Sequence, residues 1–296
     1  RKGKKKQETW AAIAGGRALT LRGGAASDGD AEHSPLGKKE HWEGVYQREL
    51  VGLEVRGDAG ELWFEEENGC MERVSRWMAE ELCEEHSTPK VEVLDVGTGN
   101  GMMLVQLASV GFRRLTGTDY VQDAVALARR NVERERRGGG SLHELDARND
   151  EEKRGRKEGG AGEGGSIEEP LQIRLVQDDL LASRLSHAAF DILHDKGTLD
   201  AILLAGAERV EQYVRATAAL TKPGGLCVIT SCNLTEEELI AAMERGGHWQ
   251  HSRGLPYPSF AFGGSSGSKV VTQAFSRSTR APSPQTALSQ PRARGR

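Results

Sequence analysis

The sequence is poor in cysteine and has no long apolar run, and each shortage narrows its class. No stretch approaches the roughly 18 apolar residues that cross a membrane, so an integral membrane protein is excluded. The four cysteines include no CxxC pair and suit neither a zinc site nor a disulfide framework; they are Cys70, Cys83, Cys227 and Cys232. We therefore expect reduced thiols in a cytoplasmic protein, with nuclear and organellar locations left open.

Apolar residues are also few, whereas glycine is abundant. Hydrophobic residues make up 37% of the chain, and glycine accounts for 37 of its 296 residues. This combination indicates an ordinary core diluted by segments that bury little apolar surface. We expect disordered tails at 1–34 (basic and glycine-rich) and at 276–296 (basic). The folded domain then covers 35–275 and contains a low-complexity insert at 138–169.

Acidic residues are missing from both ends of the chain, which makes the charge uneven. Residues 1–6 carry five positive charges and residues 277–296 carry five arginines, with no acid in either segment. Removing these ten charges from the formal net charge of −4 leaves −14 on the rest of the chain. Proteins that bind nucleic acid usually carry a basic stripe on their folded part, so nucleic acid is a disfavoured partner. The acidic middle is compatible with a basic protein partner.

Apolar segments rich in β-branched residues alternate with segments of helical periodicity. The predicted strands are 91–96, 114–119, 171–177, 190–194, 225–231 and 270–275. The predicted helices are 38–51, 70–84, 101–110, 122–136, 207–220 and 235–245. This alternation is typical of an α/β domain with a doubly wound, mostly parallel sheet and helices on both faces. Ligands of such sheets bind beyond the carboxyl ends of the strands.

A glycine-rich loop joins the first predicted strand to the next helix. Segment 94–101 reads LDVGTGNG, in which glycines allow a tight turn and the close approach of a ligand to the backbone. A dinucleotide-binding loop would carry its third glycine where this sequence has Met102, which disfavours an NAD-dependent oxidoreductase. The second strand ends at Asp119, 22 residues after Gly97. A carboxylate at that position can accept hydrogen bonds from two ribose hydroxyls, and it can also cap the following helix.

A GxGxG loop with an acid two residues before it resembles the first motif of the class I S-adenosylmethionine-dependent methyltransferases. The resemblance implies a Rossmann-like, seven-stranded sheet with a C-terminal antiparallel hairpin, and S-adenosyl-L-methionine as the cofactor. It also places an acid after the third strand near the adenine amino group; Asp178 and Asp179 both qualify, and Asp178 is preferred. The predicted cofactor-binding residues are Asp95, Gly97, Thr98, Gly99, Asn100, Gly101, Asp119, Tyr120, Asp178 and Asp179.

Further segments resemble one group within these methyltransferases. The fourth strand leads into 195–202, which reads DKGTLDAI, and in this superfamily the end of that strand faces the transferred methyl group. This string and segments 36–50, 57–64, 229–239 and 260–267 resemble the protein-lysine methyltransferases that modify translation elongation factor 1-alpha. The likeness covers 35–275. It departs from the family pattern at the insert and at Leu234, where we expect tryptophan.

The narrower resemblance implies a protein-lysine N-methyltransferase acting on elongation factor 1-alpha. Asp195 is the predicted catalytic residue, which orients the substrate lysine and stabilises the cationic transition state. It is not the expected base, because a carboxylate beside an amine raises the pKa of that amine. The predicted substrate-binding residues are Trp42, Tyr46, Trp63, Phe64, Lys196, Gly197, Thr198, Asn233, Phe260 and Phe262. The aromatic residues among them suit a purely structural role in the core equally well.

Other functions stay open at this point. A small-molecule or RNA methyltransferase would share the fold, and the basic ends are the feature that would favour RNA. A non-catalytic binding module is disfavoured by the intact loop together with Asp119 and Asp195. We expect no metal ion, no membrane association and a monomer.

Overall fold

The computed structural model describes residues 34–64, 69–84, 87–137, 169–206, 208–258, 260–262, 265–267 and 270–279. Its helices are α1 (Lys39–Arg56), α2 (Cys70–Trp77), α3 (Met102–Ser109), α4 (Gln122–Arg137), α5 (Thr198–Ala205), α6 (Glu208–Leu220) and α7 (Glu236–Glu244). Its strands are β1 (Glu92–Val96), β2 (Arg114–Asp119), β3 (Gln172–Gln177), β4 (Phe190–Lys196), β5 (Thr221–Ser231), β6 (Trp249–Leu255), β7 (Phe260–Phe262), β8 (Ser265–Gly267) and β9 (Val271–Arg277). The predicted disorder of 1–33, 138–168 and 280–296 lies outside the described residues.

The main sheet has seven strands in the order β3-β2-β1-β4-β5-β9-β6. The first five are parallel, and β9 runs antiparallel to both β5 and β6. Strands β7 and β8 form a separate antiparallel pair, where the sequence predicts a hairpin. This topology confirms the predicted doubly wound α/β fold. The chain progresses in opposite directions from β1 and from β4, so their carboxyl ends form the switch point at which such sheets bind ligands.

Helices cover both faces of the sheet because its central strands are apolar on both sides. One cluster of buried side chains joins the sheet to α2 and α3, and a second joins it to α5, α6 and α7. A third, smaller cluster lies at the carboxyl edge, where α1 packs on α4 through Trp42, Tyr46, Val121 and Leu127. Helix α1 therefore covers the end of the sheet where a ligand is expected.

Two elements of the structure were not predicted, and several bounds are wrong. Helix α5 follows β4 after one glycine, so its short apolar sequence reads as an extension of the strand. Strand β6 lies at the sheet edge and buries only Trp249 fully, so it lacks the apolar pattern of a central strand. Strand β9 continues to Arg277, so the predicted tail begins too early at 276. The predicted helix 70–84 is α-helical only to Trp77 and then widens into the π-helical turn Met78–Leu82.

Strand β5 begins at Thr221, four residues before the predicted 225, and its pairing with β4 is irregular between Phe190 and Ile192.

Of the helices that the structure describes, none combines the length and the apolar composition that a bilayer crossing demands.

Candidate active site

A pocket of about 180 Å³ opens at the carboxyl ends of the first four strands and beneath α1. Most of the predicted site residues line it: Asp95, Gly97, Thr98, Gly99, Asn100, Asp119, Tyr120, Asp178, Asp179, Trp42, Tyr46, Trp63, Phe64, Lys196, Gly197 and Thr198. Three predicted residues are not part of the lining: Gly101, Asp195 and Asn233. The side chains of Phe260 and Phe262 lie outside what the structure describes. Most of the predicted residues therefore come together around one pocket, and their individual roles stay predictions.

The glycine loop can form only because its glycines leave room for neighbouring side chains. A Cβ atom on Gly97 would lie 2.0 Å from Oγ1 of Thr198, and one on Gly99 would lie 2.7 Å from the hydroxyl oxygen of Tyr46. Both glycines also have positive φ, at 61° and 55°, which other residues rarely adopt. The loop is thus open to the pocket and closely bounded by α1 and by the start of α5.

Gly101 has a different use from the other loop glycines. It precedes α3 with a φ of 76°, and a Cβ atom on it would lie 2.8 Å from Cβ of Ala128 on α4. It allows α3 and α4 to pack closely and does not face the pocket. Its predicted contact with the cofactor has no support from this position and stays a prediction.

Asp119 ends β2 with its carboxylate buried beside the loop. One oxygen accepts a hydrogen bond from the backbone N–H of Gly99 at 3.2 Å, and the other accepts one from Val121 at 2.9 Å. Burial raises the pKa of this carboxyl to about 6, although the two hydrogen bonds oppose the shift. Both expected roles are compatible here: the carboxylate caps the segment leading into α4 and also lines the pocket. Each oxygen keeps capacity for a second donor, as a ribose hydroxyl would provide.

The two acids after β3 both line the pocket. Oδ1 of Asp178 accepts a hydrogen bond from the N–H of Arg184 at 2.9 Å, and Oδ1 of Asp179 accepts one from Leu181 at 3.0 Å. Asp178 is half-buried and Asp179 is exposed. Leu180 and Leu181, which were not predicted, line the pocket next to them. Acidic and apolar groups therefore meet where the resemblance places the adenine.

Aromatic side chains from α1 and the following segment form one wall of the pocket. The rings of Trp42 and Tyr46 stack at a centroid distance of 6.2 Å, and Trp63 meets Trp42 edge-on at 5.9 Å. The indole N–H of Trp42 donates to the carbonyl of Leu36 at 2.7 Å. Trp42 and Tyr46 are buried in the third cluster and also line the pocket. Their structural role in the core is therefore confirmed, and their predicted contact with the substrate stays a prediction.

The segment that follows β4 lies against this wall and against the glycine loop. The Lys196 ammonium donates to the carbonyl of Trp63 at 3.2 Å and lies 5.6 Å from the centre of the Phe64 ring. Oγ1 of Thr198 donates to the carbonyl of Val96 at 2.9 Å. Phe64 has a positive φ of 68°, an unfavourable conformation for an aromatic residue. Its ring lies so near Gly197 that a Cβ atom there would be 3.1 Å away.

Asp195 is fully buried beneath the pocket and does not line it. One oxygen accepts from the N–H of Thr198 at 2.8 Å, and the other accepts from Leu199 at 3.0 Å and from the Tyr213 hydroxyl at 2.7 Å. Burial raises its pKa to about 7, against the effect of these hydrogen bonds. Asp195 thus caps α5. The structure gives no support to its predicted contact with a substrate lysine, and that role stays a prediction.

Asn233 lies outside the pocket lining, and two further predicted substrate residues have side chains that the structure does not describe. Asn233 follows β5 beside Cys232, and its buried Nδ2 has no hydrogen-bond partner in the described part of the chain. Phe260 and Phe262 belong to β7, but the arrangement of their side chains lies outside what the structure describes. The predicted roles of all three residues stay predictions.

Sequence reasoning missed a buried pair beneath the loop. Nδ1 of His194 lies 2.7 Å from Oδ1 of Asp95, and Oδ2 of the same carboxylate accepts from the Thr98 hydroxyl at 2.6 Å. Asp95 and His194 are register partners on β1 and β4. The adjacency of these strands, which the fold class implies, is the signal that would have revealed the pair. Missed lining residues include Met71, Met103, Ile202 and Arg209.

The fold and this pocket together define a class I S-adenosylmethionine-dependent methyltransferase. Residues 93–156 match the family described as a methyltransferase domain. The crystal structure of magnesium protoporphyrin IX methyltransferase from Synechocystis PCC 6803 with bound S-adenosylmethionine is similar in fold, with a TM-score of 0.51 at 13% identity. The similarity covers 86% of this chain and 100% of that chain.

Relatives of higher identity define the family more narrowly. The chain is 37% identical over 269 residues to EEF1A lysine methyltransferase 2 from Homo sapiens, across 89% of this chain and 96% of the relative. It is 32% identical over 257 residues to a protein-lysine N-methyltransferase from Schizosaccharomyces pombe, across 82% and 94%. The chain therefore belongs to the family of EEF1A lysine methyltransferase 2. It is an S-adenosylmethionine-dependent protein-lysine N-methyltransferase.

The pocket fits this cofactor on its own geometry. The loop glycines keep free a space that side chains would fill, and the buried Asp119 carboxylate keeps acceptor capacity for ribose hydroxyls. Acids and leucines lie together at the other end, after β3. These residues provide separate surroundings for the polar and the aromatic parts of S-adenosylmethionine.

Proposed function

We propose that the protein substrate is translation elongation factor 1-alpha and that one of its lysine side chains accepts the methyl group. The observation that carries this proposal is the 37% identity to EEF1A lysine methyltransferase 2, which extends over 96% of that relative. Such coverage includes α1 and the segment after β4, which line the pocket and would contact a protein substrate. The net charge of −14 between the two basic ends supports association with a basic protein surface.

Different residues of the chain bind different parts of the cofactor. We assign the ribose hydroxyls to Asp119, the amino acid part to the loop at 97–100, and the adenine amino group to Asp178 or Asp179. Tyr120 and the neighbouring leucines enclose the adenine. When bound, S-adenosylmethionine supplies a methyl group that its sulfonium already activates. The protein must then align a neutral amine behind that methyl group.

Obtaining the neutral amine is the main task of the substrate side of the site. A free lysine has a pKa of about 10.4, so neutralising it at pH 7 costs roughly 4–5 kcal/mol. The aromatic wall of Trp42, Trp63 and Phe64 excludes water from the amine and lowers its pKa by desolvation. The proton of the substrate lysine leaves to solvent at the pocket mouth.

Asp195 contributes from beneath the site. Its carboxylate fixes the first turn of α5 through the N–H groups of Thr198 and Leu199. That turn begins directly after Lys196 and Gly197, which line the pocket. We therefore infer that Asp195 positions the segment that the substrate lysine passes, and we describe it as a positioning residue.

The test is transfer of labelled methyl from S-adenosylmethionine to purified elongation factor 1-alpha, with the labelled residue located by mass spectrometry. We expect label on a single lysine with the wild-type chain and none with Asp119→Ala, which lacks the ribose-binding carboxylate. Parallel reactions contain total RNA and a small-molecule extract. An unlabelled elongation factor, from a chain that still binds the cofactor, would contradict the proposed substrate. Label in RNA or in small molecules would then favour the alternative methyltransferases with the same fold.

A further inference from the structure

Lys196 is a half-buried cation that lines the pocket, and no described residue supplies a counter-charge for it. Its ammonium donates to the carbonyl of Trp63 at 3.2 Å and lies 5.6 Å from the Phe64 ring centre. None of the described carboxylates forms an ion pair with it. Partly buried charges are normally paired, because desolvation without a partner costs free energy. An unpaired ammonium that lines a ligand pocket therefore indicates an anionic group on the ligand.

A second half-buried lysine shows the usual arrangement. Lys222 lies at the opposite end of the sheet, where β5 begins, and its ammonium contacts both oxygens of Asp191 at 2.8 and 2.9 Å. Arg114, also at that end, pairs with Glu92 at 3.2 Å and with Glu169 at 3.1 Å. Partly buried cations at that end of the sheet thus form ion pairs with carboxylates of the chain itself. The Lys196 ammonium instead contacts a backbone carbonyl and an aromatic ring.

The charges of the pocket narrow the choice of ligand group. Its described lining includes the carboxylates of Glu61, Asp95, Asp119, Asp178 and Asp179, but only two cations, Lys196 and Arg209. S-adenosylmethionine carries two positive groups, the sulfonium and the amino group, which suit an acidic pocket. Its one anionic group is a carboxylate. That carboxylate needs a donor, and Arg209 is exposed near the start of α6.

Lys196 lies next to the loop that holds the amino acid part of the cofactor. Val96, which precedes the loop, pairs in register with Asp195. The Thr198 hydroxyl donates to the Val96 carbonyl at 2.9 Å, and Gly97 has no room for a side chain beside Thr198. The segment 196–198 therefore lies directly against the loop, and adjacent strands are only about 4.8 Å apart.

We propose that Lys196 binds the carboxylate of S-adenosylmethionine and so sets the affinity for cofactors that carry it. This inference rests on the cofactor and not on the identity of the protein substrate. A carboxylate of the protein substrate would have the same chemistry. The position of Lys196 beside the loop favours the cofactor, and the two sources are separable by experiment.

The experiment compares two ligands that differ only in the carboxylate, S-adenosylmethionine and decarboxylated S-adenosylmethionine. Calorimetry measures both affinities for the wild-type chain and for Lys196→Met. We expect the substitution to weaken the binding of S-adenosylmethionine about 10- to 100-fold, as for the loss of a charge-assisted hydrogen bond. The affinity for the decarboxylated ligand should stay within about twofold, because that ligand has no group for Lys196 to bind.

Lys222→Met is the matched control, since it removes an equally placed but paired lysine at the other end of the sheet. It should leave the ratio of the two affinities at the wild-type value. If Lys196→Met weakens the binding of both ligands equally, the proposal is overturned. The lysine would then affect binding only by holding the Trp63 segment in place. Unchanged S-adenosylmethionine affinity with a raised KM for the protein substrate would also overturn it and would assign Lys196 to the substrate. Thermal unfolding without ligand verifies that each variant is folded.

Discussion

Nδ1 of His194 lies 2.7 Å from Oδ1 of Asp95 across the pairing of β1 and β4, and the His194 side chain is fully buried while that of Asp95 is almost so. The second oxygen of Asp95 accepts from the Thr98 hydroxyl, which belongs to the glycine loop. The pair therefore fixes a pocket-lining carboxylate from two sides. Nε2 of His194 is buried and has no partner among the described residues, so the only contact that holds the ring by a hydrogen bond is the one to Asp95.

Replacing His194 with leucine tests how much the loop depends on this pair. His194→Leu leaves one oxygen of the buried Asp95 carboxylate without its donor, which costs about 1–3 kcal/mol of unfolding free energy. We also expect weaker cofactor binding, because the freed carboxylate can turn away from Thr98. Urea unfolding and calorimetry measure the two effects. The exposed His187 supplies the control His187→Leu, and equal stability of the two variants would contradict the assigned role.

The raised pKa of Asp119 makes cofactor affinity depend on pH. Burial raises this pKa to about 6, so the carboxyl becomes protonated as the pH falls through that value. A protonated carboxyl loses the charge that strengthens hydrogen bonds from ribose hydroxyls. We expect the affinity for S-adenosylmethionine to decline below about pH 6 and to be constant above about pH 7. Asp119→Asn, which cannot ionise, should bind more weakly and without this dependence; a parallel decline in the variant would point to another group.

Asp195 should affect turnover more than cofactor binding. Asp195→Asn keeps the size of the side chain but places an amide where three donors now meet a carboxylate. The first turn of α5 then loses its cap, and the segment that the substrate lysine passes is less well positioned. We expect kcat to fall at least tenfold while cofactor affinity stays within about threefold. Steady-state kinetics and calorimetry decide this, and a variant with the kcat of the wild type would remove Asp195 from the mechanism.

The same residue should give the stability of the protein an unusual pH dependence. The folded pKa is about 7 and the ordinary value is 3.8, so between these values the folded chain binds a proton that the unfolded chain releases. The contribution of Asp195 to the unfolding free energy is therefore fully present below about pH 4 and declines as the pH rises to about 7, by on the order of 3 kcal/mol. Urea unfolding of wild type and Asp195→Asn across this range should give a difference that shrinks with rising pH. A constant difference would show that Asp195 does not titrate in this way.

The sequence located the pocket because its key residues follow strands, and strands with buried β-branched residues are easy to recognise. Asp119 and the loop at 97–101 needed only the order strand, loop, helix. The sequence could not show that Asp195 lies beneath the pocket, because it does not tell whether a residue at a strand end points into the pocket or into the helix that follows. The backbone N–H groups at the start of α5, a helix that was not predicted, donate hydrogen bonds to the Asp195 carboxylate.

The placement of two aromatic residues both in the core and in the pocket lining was also beyond the sequence. Helical spacing placed Trp42 and Tyr46 on one face of α1, but only the packing of α1 on α4 brings that face to the glycine loop. Lys196 was assigned to the substrate because it belongs to a family string. Its lack of a carboxylate partner becomes visible only when Trp63 and Phe64 are in place beside it.

The contact between Gly99 and Tyr46 gives a test that separates crowding from backbone strain. Gly99→Ala introduces a Cβ atom 2.7 Å from the Tyr46 hydroxyl oxygen in a residue with a φ of 55°. Gly57 has a similar φ of 67°, but no atom lies within 4 Å of a Cβ placed there. Gly57→Ala should therefore cost only the conformational penalty of about 1–2 kcal/mol, whereas Gly99→Ala should cost more and weaken cofactor binding.

Removal of the Tyr46 hydroxyl should relieve only the crowding. The double variant Gly99→Ala, Tyr46→Phe should recover the excess cost of Gly99→Ala over Gly57→Ala, because the phenyl ring leaves the space that the hydroxyl oxygen occupied. Urea unfolding of the two single variants and the double variant gives their coupling free energy. Purely additive effects would mean that Gly99 is required for its backbone conformation alone. Coupling would show that α1, through Tyr46, closes the loop from above, so that the wall of the pocket and the floor on which the cofactor lies form one packed unit.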